Sequence, residues 1–311
     1  MEVFPEILGR SPAMLRLFDA MARVAGHDVS VHIHGETGTG KERVARALHG
    51  RSPRRSGPFV PVNAAGLSDE LFEAQLFGSA RGAFTGAVAD RPGHVAVAEG
   101  GTLFLDELAE LSLAGQAKLL RFLQEREYQR VGETQLRRAN VRLLTATNVD
   151  LVRRVADGRF RQDLLFRLNV VTLVVPPLRE RGDDAVLLGR HFLEAAARTA
   201  RRPCPLAGPD FWRAVRDLPW PGNVRQLEHE MSRLVLLSGE GSVAREHLSA
   251  ELGQSRTLSR LPLRSALASF ERDYLTRMLE SHGGVRVATA AALGITRQAL
   301  HAKMRRLRIE C

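Results

Sequence analysis

The chain has only two cysteines, Cys204 and Cys311, in 311 residues, too few and too far apart for a disulfide framework or a cysteine metal site. Aromatic residues make up 5% of the sequence. No stretch free of Asp, Glu, Lys and Arg is longer than residues 56–68, far short of the ~20 apolar residues that span a bilayer. The first residues, Met-Glu-Val-Phe-Pro-Glu, do not put a basic segment ahead of an apolar one, so no secretory signal is expected. Internal repeats and low-complexity tracts are absent as well. A soluble chain in a reducing compartment, the cytoplasm, is the expectation. Acids are outnumbered, 35 Asp and Glu against 45 Lys and Arg, and the net charge of +10 suits an anionic partner.

What is present first is residues 35–42, Gly-Glu-Thr-Gly-Thr-Gly-Lys-Glu. A β-branched run over 29–34 precedes it and a helical pattern follows. Strand, glycine-rich turn and helix N-terminus together make a phosphate cradle, in which backbone N–H groups and the helix end face a polyphosphate. Gly35, Glu36, Thr37, Gly38, Thr39, Gly40, Lys41 and Glu42 are the candidate nucleotide-binding residues, with Lys41 reaching the β- and γ-phosphates. Most such loops place Ser or Thr where Glu42 stands, to ligate magnesium. Either Glu42 does not touch the metal, or coordination is shared differently with Asp106.

Residues 100–107, Gly-Gly-Thr-Leu-Phe-Leu-Asp-Glu, form an apolar run ending in two acids. A buried strand delivering Asp106 and Glu107 past its C-terminal end suits an open α/β sheet, which binds ligands at that edge. Asp106 is the candidate magnesium ligand, and Glu107 the group that polarises the attacking water. Further strands are expected at 59–63, 141–147 and 168–175, with helices between them, which argues for a parallel sheet covered on both faces. Ser11-Pro12 reads as the cap and first turn of a helix burying Met14, Leu15, Phe18 and Met21. After Pro176-Pro177 the pattern is helical, over 183–201, 209–218 and 223–237, with no strand between. The expected division is an α/β ATPase subdomain over 1–175, an α-helical lid over 176–248, a linker over 249–263 and a helix-turn-helix domain over 264–311.

In that last segment a helix over 270–280 is followed by helices over 287–293 and from Thr296 to about Arg306, separated by Gly294. Two short helices about a glycine-containing turn make a helix-turn-helix. No acid occurs between Gly283 and Ile309, which concentrates positive charge where phosphates would lie. Thr296, Arg297, Gln298, His301, Lys303 and Arg305 are the candidate DNA-binding residues.

These residues together carry a specific resemblance. Gly82-Ala-Phe-Thr-Gly-Ala87 is complete, and with it stand Val60-Pro-Val-Asn63, Leu76-Phe-Gly78, Arg130-Val-Gly132, Pro177-Leu-Arg-Glu-Arg-Gly182 and Trp220-Pro-Gly-Asn-Val-Arg225. The chain resembles, nearly end to end, the sigma-54-dependent transcription activators, or bacterial enhancer-binding proteins, of the AAA+ ATPase superfamily. The resemblance implies a parallel-sheet P-loop core with a helical lid and a Fis-type helix-turn-helix domain. It also implies an ATPase that binds upstream enhancer DNA and uses ATP with magnesium to remodel the sigma-54 RNA polymerase closed complex. Gly82, Ala83, Phe84, Thr85, Gly86 and Ala87 would contact sigma-54, with residues 127–133 supporting that loop. Asn63 matches the residue that orients the catalytic glutamate, and Asn148, after Thr147, matches sensor I. Arg161 and Arg167 match arginines reaching the neighbouring subunit's site, which implies a self-assembled hexameric ring, homomeric or shared with a paralogue. Arg225 matches sensor II. Glu42 is common in this family. Gln75 and Ser79-Ala80-Arg81 depart from its usual residues, and Val285 stands where Asn is frequent. The ATPase pattern starts within the first residues, leaving no room before it for a sensory domain, so a regulator acting in trans or control by expression level is expected.

Overall fold

A computed structural model describes residues 4–66, 68–83, 89–168, 170–238, 241–249, 271–272, 274–275, 278–279 and 286–307. The chain forms two compact units, Met1–Leu248 and Ser249–Cys311.

The first unit is built on a five-stranded parallel sheet. Its strands are β1 (Val31–His34), β2 (Phe59–Asn63), β3 (Thr102–Asp106), β4 (Arg142–Thr147) and β5 (Val171–Val174), in the order β2-β3-β4-β1-β5. Alternating side chains on the strands supply two separate cores. Leu103 and Leu105 of β3, with Leu143 of β4, face one side. Phe104, Leu144 and Ala146 face the other. Helices α1 (Pro12–Ala25) and α2 (Lys41–Gly50) cover the second side through Met14, Leu17, Met21, Val44 and Leu48. Helices α3 (Asp69–Phe77), α5 (Leu113–Glu125) and α7 (Gln162–Leu168) cover the first through Phe72, Leu76, Leu119, Phe122 and Leu164. Short α4 (His94–Val97) and α6 (Leu151–Ala156) complete that layer. Each fully buried Leu or Phe contributes about 1.5–3 kcal/mol, so this double-faced burial fixes the strand register.

Register places the strand ends together. Asn63 pairs with Asp106, and His34 lies between Thr147 and Val174, so the C-terminal tips of all five strands form one edge. The glycine-rich loop leaves β1 there, its first amide, Gly35 N–H, donating to Thr147 O at 3.1 Å.

Some local expectations need correction. Ser11 caps α1 as expected, its Oγ accepting from Met14 N–H at 3.4 Å, but Leu15 is half exposed and Leu17 is the buried residue. The strand expected at 168–175 begins only at Val171, because Leu168 is the buried last residue of α7.

The lid packs α8 (Asp184–Ala200), α9 (Pro209–Asp217) and α10 (Asn223–Leu237) around Leu188, Phe192, Val215, Leu227 and Met231. It is not purely helical, since Leu206–Ala207 pairs in parallel with Ser242–Val243. Two-residue strands are too short to leave a periodic signal.

In the second unit, α11 (Arg286–Ala292) and α12 (Arg297–Leu307) enclose a small core with Leu275, Leu279, Leu300, Met304 and Leu307. Gly294 sits in the turn at φ +65°, and Thr296 Oγ1 accepts from Ala299 N–H at 3.2 Å to start α12. The expected linker lies outside the described residues, except for Ser249.

Candidate ATPase site

A cleft runs along the edge where the strands end. Residues 37–43 of the loop, Asp106, Glu107, Val224, Arg225 and Glu228 line its polar part. Ile7, Leu8, Met14, Val175, Leu188 and Phe192 line its apolar part. Gly35, Glu36 and Asn148 stand beside this lining rather than in it. The polar part suits a polyphosphate and the apolar part a flat heterocycle.

Lys41 is buried and points back along its own loop. Its Nζ donates to Gly35 O at 2.9 Å and lies 4.0 Å from Glu107 Oε1. Glu107 adopts φ +52° just past β3, and Asp106 Oδ1 accepts its N–H at 2.9 Å. Burial raises the Glu107 carboxyl above the usual range, against the lowering pull of Lys41 and with further upward pushes from Asp106 and Glu110. A carboxylate less stabilised by water is a better proton acceptor, as a general base requires.

Asn63 ends β2 beside Asp106, but its Oδ1 accepts from Ala65 N–H at 2.9 Å; among the described residues no hydrogen bond joins it to Glu107. Asn148 Nδ2 donates to Thr37 Oγ1 at 3.1 Å, so this residue touches the loop directly. Glu42 carries its carboxylate onto Arg46 on the surface, at 2.6 Å. With Glu42 turned away and Glu107 beside Lys41, Asp106 is the candidate carboxylate for the ion. Magnesium is commonly held by one or two carboxylates, substrate phosphates and water, and this donor set fits it without a hydroxyl at position 42.

Arg161 and Arg167 do not line the cleft of their own chain. Arg161 is exposed and pairs with Asp163 at 2.7 Å, while Arg167 donates to Leu123 O at 3.0 Å. Phe166 between them is 71% exposed.

The candidate sigma-54 loop stands on a short antiparallel stem, Gly78–Ser79 with Arg91–Pro92. Gly82, at φ +82°, and Ala83 are described; Phe84, Thr85, Gly86 and Ala87 lie outside the described residues. The second hairpin, Glu127–Tyr128 with Arg137–Arg138, braces the stem. Ala80 N–H donates to Val131 O, and Val131 N–H to Gly78 O, each at 2.9 Å.

In the C-terminal unit Thr296, Arg297, Gln298, His301 and Arg305 are exposed on α12, opposite its buried Leu300, Met304 and Leu307. Lys303 differs, because it and Arg306 both ion-pair with Glu271 of the preceding helical segment. The acid-free stretch read from the sequence is therefore partly neutralised by a residue of the segment that precedes it.

Sequence reasoning gave no role to several residues that shape the cleft. Ile7 and Leu8 carry no motif. Arg179, Arg181 and Asn223 stood inside the quoted Pro-Leu-Arg-Glu-Arg-Gly and Trp-Pro-Gly-Asn-Val-Arg motifs, which were the available signal.

Comparison with known proteins agrees with this architecture. Residues 7–174 match the Sigma-54 interaction domain, residues 179–261 the AAA+ ATPase lid domain, and residues 266–307 the bacterial regulatory protein, Fis family. The transcriptional regulatory protein ZraR of Escherichia coli (strain K12) is 44% identical over 307 residues, covering 96% of this chain and 68% of that protein. The anaerobic nitric oxide reductase transcription regulator NorR of Salmonella paratyphi C is 44% identical over 316 residues, covering 97% of this chain and 62% of the relative. Among solved structures, NtrX from Brucella abortus in complex with ATP is 37% identical, with a TM-score of 0.75 over 97% of this chain and 69% of that one.

Proposed function

This chain belongs to the sigma-54-dependent transcription activators of the AAA+ superfamily, with a P-loop ATPase core and a Fis-type DNA-binding domain, and on that premise we propose how it works. It binds ATP with magnesium, hydrolyses it in an assembled ring, and uses the energy to convert a closed sigma-54 RNA polymerase complex into an open one while bound to upstream DNA. The observation that carries this reading is the pairing of Asp106 and Glu107 with Lys41 at one edge of the sheet, 4.0 Å separating Lys41 Nζ from Glu107.

Each residue has a role in that scheme. Residues 37–41 wrap the phosphates with N–H groups and the Lys41 ammonium. Asp106 holds magnesium, which supplies charge neutralisation at the phosphates. Glu107 takes a proton from the attacking water, and Asn148 and Arg225 sense the γ-phosphate from the core and the lid. Arg161 and Arg167 act on the next subunit's nucleotide, a reading supported by their standing outside their own cleft. Charge spreading over the γ-phosphoryl oxygens is stabilised by an arginine only when subunits are assembled, which links hydrolysis to the ring. Phe84 and Thr85 carry the resulting movement to sigma-54, and the 127–138 hairpin supports them.

The test is open-complex formation at a sigma-54 promoter with purified components. ATP should open the promoter, and a non-hydrolysable analogue should leave it closed. Opening with the analogue, or none with ATP, would refute the reading.

A further inference from the structure

Three consecutive carbonyls of the glycine-rich loop are held by three donors from the lid. Asn223 Nδ2 donates to Thr37 O at 3.0 Å, Arg225 N–H to Gly38 O at 3.2 Å, and an Arg181 guanidinium N–H to Thr39 O at 2.9 Å. A trans peptide points its N–H opposite to its C=O. Fixing these carbonyls therefore fixes the directions of the Gly38, Thr39 and Gly40 amides; Thr39 N–H closes the loop onto Glu36 O at 3.3 Å, and inward-turned amides of such a loop are the donors a phosphate cradle uses.

The approach is close. A Cβ on Gly38, which has φ +79°, would come 2.2 Å from Gly222 O, so only glycine allows the lid backbone so near. Other bonds secure the same contact. Glu36 is gripped by both nitrogens of Arg179 at 2.6 and 2.8 Å and by Asn223 at 3.1 Å, and the Arg179 hydrogen bond holds its carboxyl below the usual range. Asn223 is fully buried at φ +54° and its Oδ1 accepts from Leu178 N–H at 2.8 Å, so its amide has one orientation. Arg181 is buried too, burial pulling its guanidinium down to about 10, and it also donates to Pro176 O at 2.9 Å.

We infer that the lid is a structural wall of the phosphate cradle: Asn223, which stands outside the cleft lining, and Arg181 are positioning residues that set the loop amides for the phosphates. Lid displacement then changes phosphate affinity directly, beyond any contact made by the Arg225 side chain. The role presupposes that the chain binds ATP.

Asn223→Asp in the full chain isolates the effect. It keeps the size and the acceptor for Leu178 N–H, but replaces the donor to Thr37 O with an acceptor that also repels Glu36. Asn223→Gly is the second variant, since glycine tolerates φ +54°. Dissociation constants for ATP, ADP and AMP are measured by calorimetry or competition, with melting of the nucleotide-free protein as the check on folding. Both variants should weaken ATP and ADP about tenfold, as expected for a lost bond to a buried group, and AMP less than about twofold. Equal losses for AMP and ATP, or no loss in either variant, would overturn the inference. If the unaltered chain binds no ATP, the ATPase reading falls with it; if it binds ATP and the variants bind equally well, only the cradle role falls.

Discussion

Lys41 Nζ and Glu107 Oε1 stand 4.0 Å apart, one on the helix that follows the glycine-rich loop and one just beyond strand β3. Burial pushes the Glu107 carboxyl upward, and the Lys41 ammonium pulls against that push, so the acid keeps a raised basicity. Glu107→Gln preserves shape and removes the base. ATP binding should change by no more than a few-fold, while turnover falls roughly 10²–10⁴-fold, as for loss of a general base. Single-turnover hydrolysis measures the chemical step. The acid limb of the unaltered enzyme's rate profile should lie above the ordinary carboxylate range, because the base form is lost as pH falls through a raised value.

Gly132 ties the two surface loops together. It has φ +82°, and a Cβ there would stand 2.8 Å from Ala83 Cβ. Gly132→Ala is strained on both counts, at a cost of about 1–2 kcal/mol for the backbone alone. ATPase activity should survive, since Gly132 lies outside the cleft, and open-complex formation should fall sharply. Comparing the two rates in one preparation checks this.

His32 is buried in β1, its Nδ1 3.0 Å from Thr145 Oγ1, and burial lowers its pKa to about 4, with His34 adding to the effect. Both folded and unfolded forms are neutral above pH ~6.5, so nothing is lost there. As pH falls below that value the unfolded chain takes up a proton that the folded chain refuses. The fold should therefore lose up to roughly 3 kcal/mol between pH 6.5 and 4. Gln at this position keeps hydrogen-bonding capacity without that titration. Melting curves of His32→Gln should show a smaller decline over this window than the parent.

Glu271 holds Lys303 and Arg306 within the C-terminal unit. Glu271→Gln should free two cations beside the exposed Arg297, His301 and Arg305. DNA affinity should rise, and the salt dependence should steepen by up to ~0.9 for each additional phosphate contact. Fluorescence anisotropy at several salt concentrations measures both. A lower affinity with an intact fold would show that the Glu271 pairs position α12 for DNA.

The sequence carried the local part of this molecule well. The glycine-rich loop, the two acids after an apolar strand, and the Ser11 and Thr296 caps are set by neighbours within a few residues, and each stands where its spacing implied. Leu15 and Leu17 show the first limit: periodicity locates a helix better than it selects the buried member of an adjacent apolar set. Asn223 and Glu36 show the second. Their contact joins residues 187 apart, and nothing in either segment's pattern announces it. Glu271 lies well before the acid-free window, and only packing of its segment against α12 brings its charge to Lys303. Ile7 and Leu8 line the cleft because the chain crosses there, which no motif encodes.

The central claim is that ATP hydrolysis is spent on sigma-54 through residues 82–87, and Thr85→Ala separates the fuel from the work. ATP turnover and open-complex formation at a sigma-54 promoter are measured on the same preparation of this variant and its parent. The account predicts measurable turnover in both and promoter opening only in the parent; opening by Thr85→Ala at the parent's rate would contradict it.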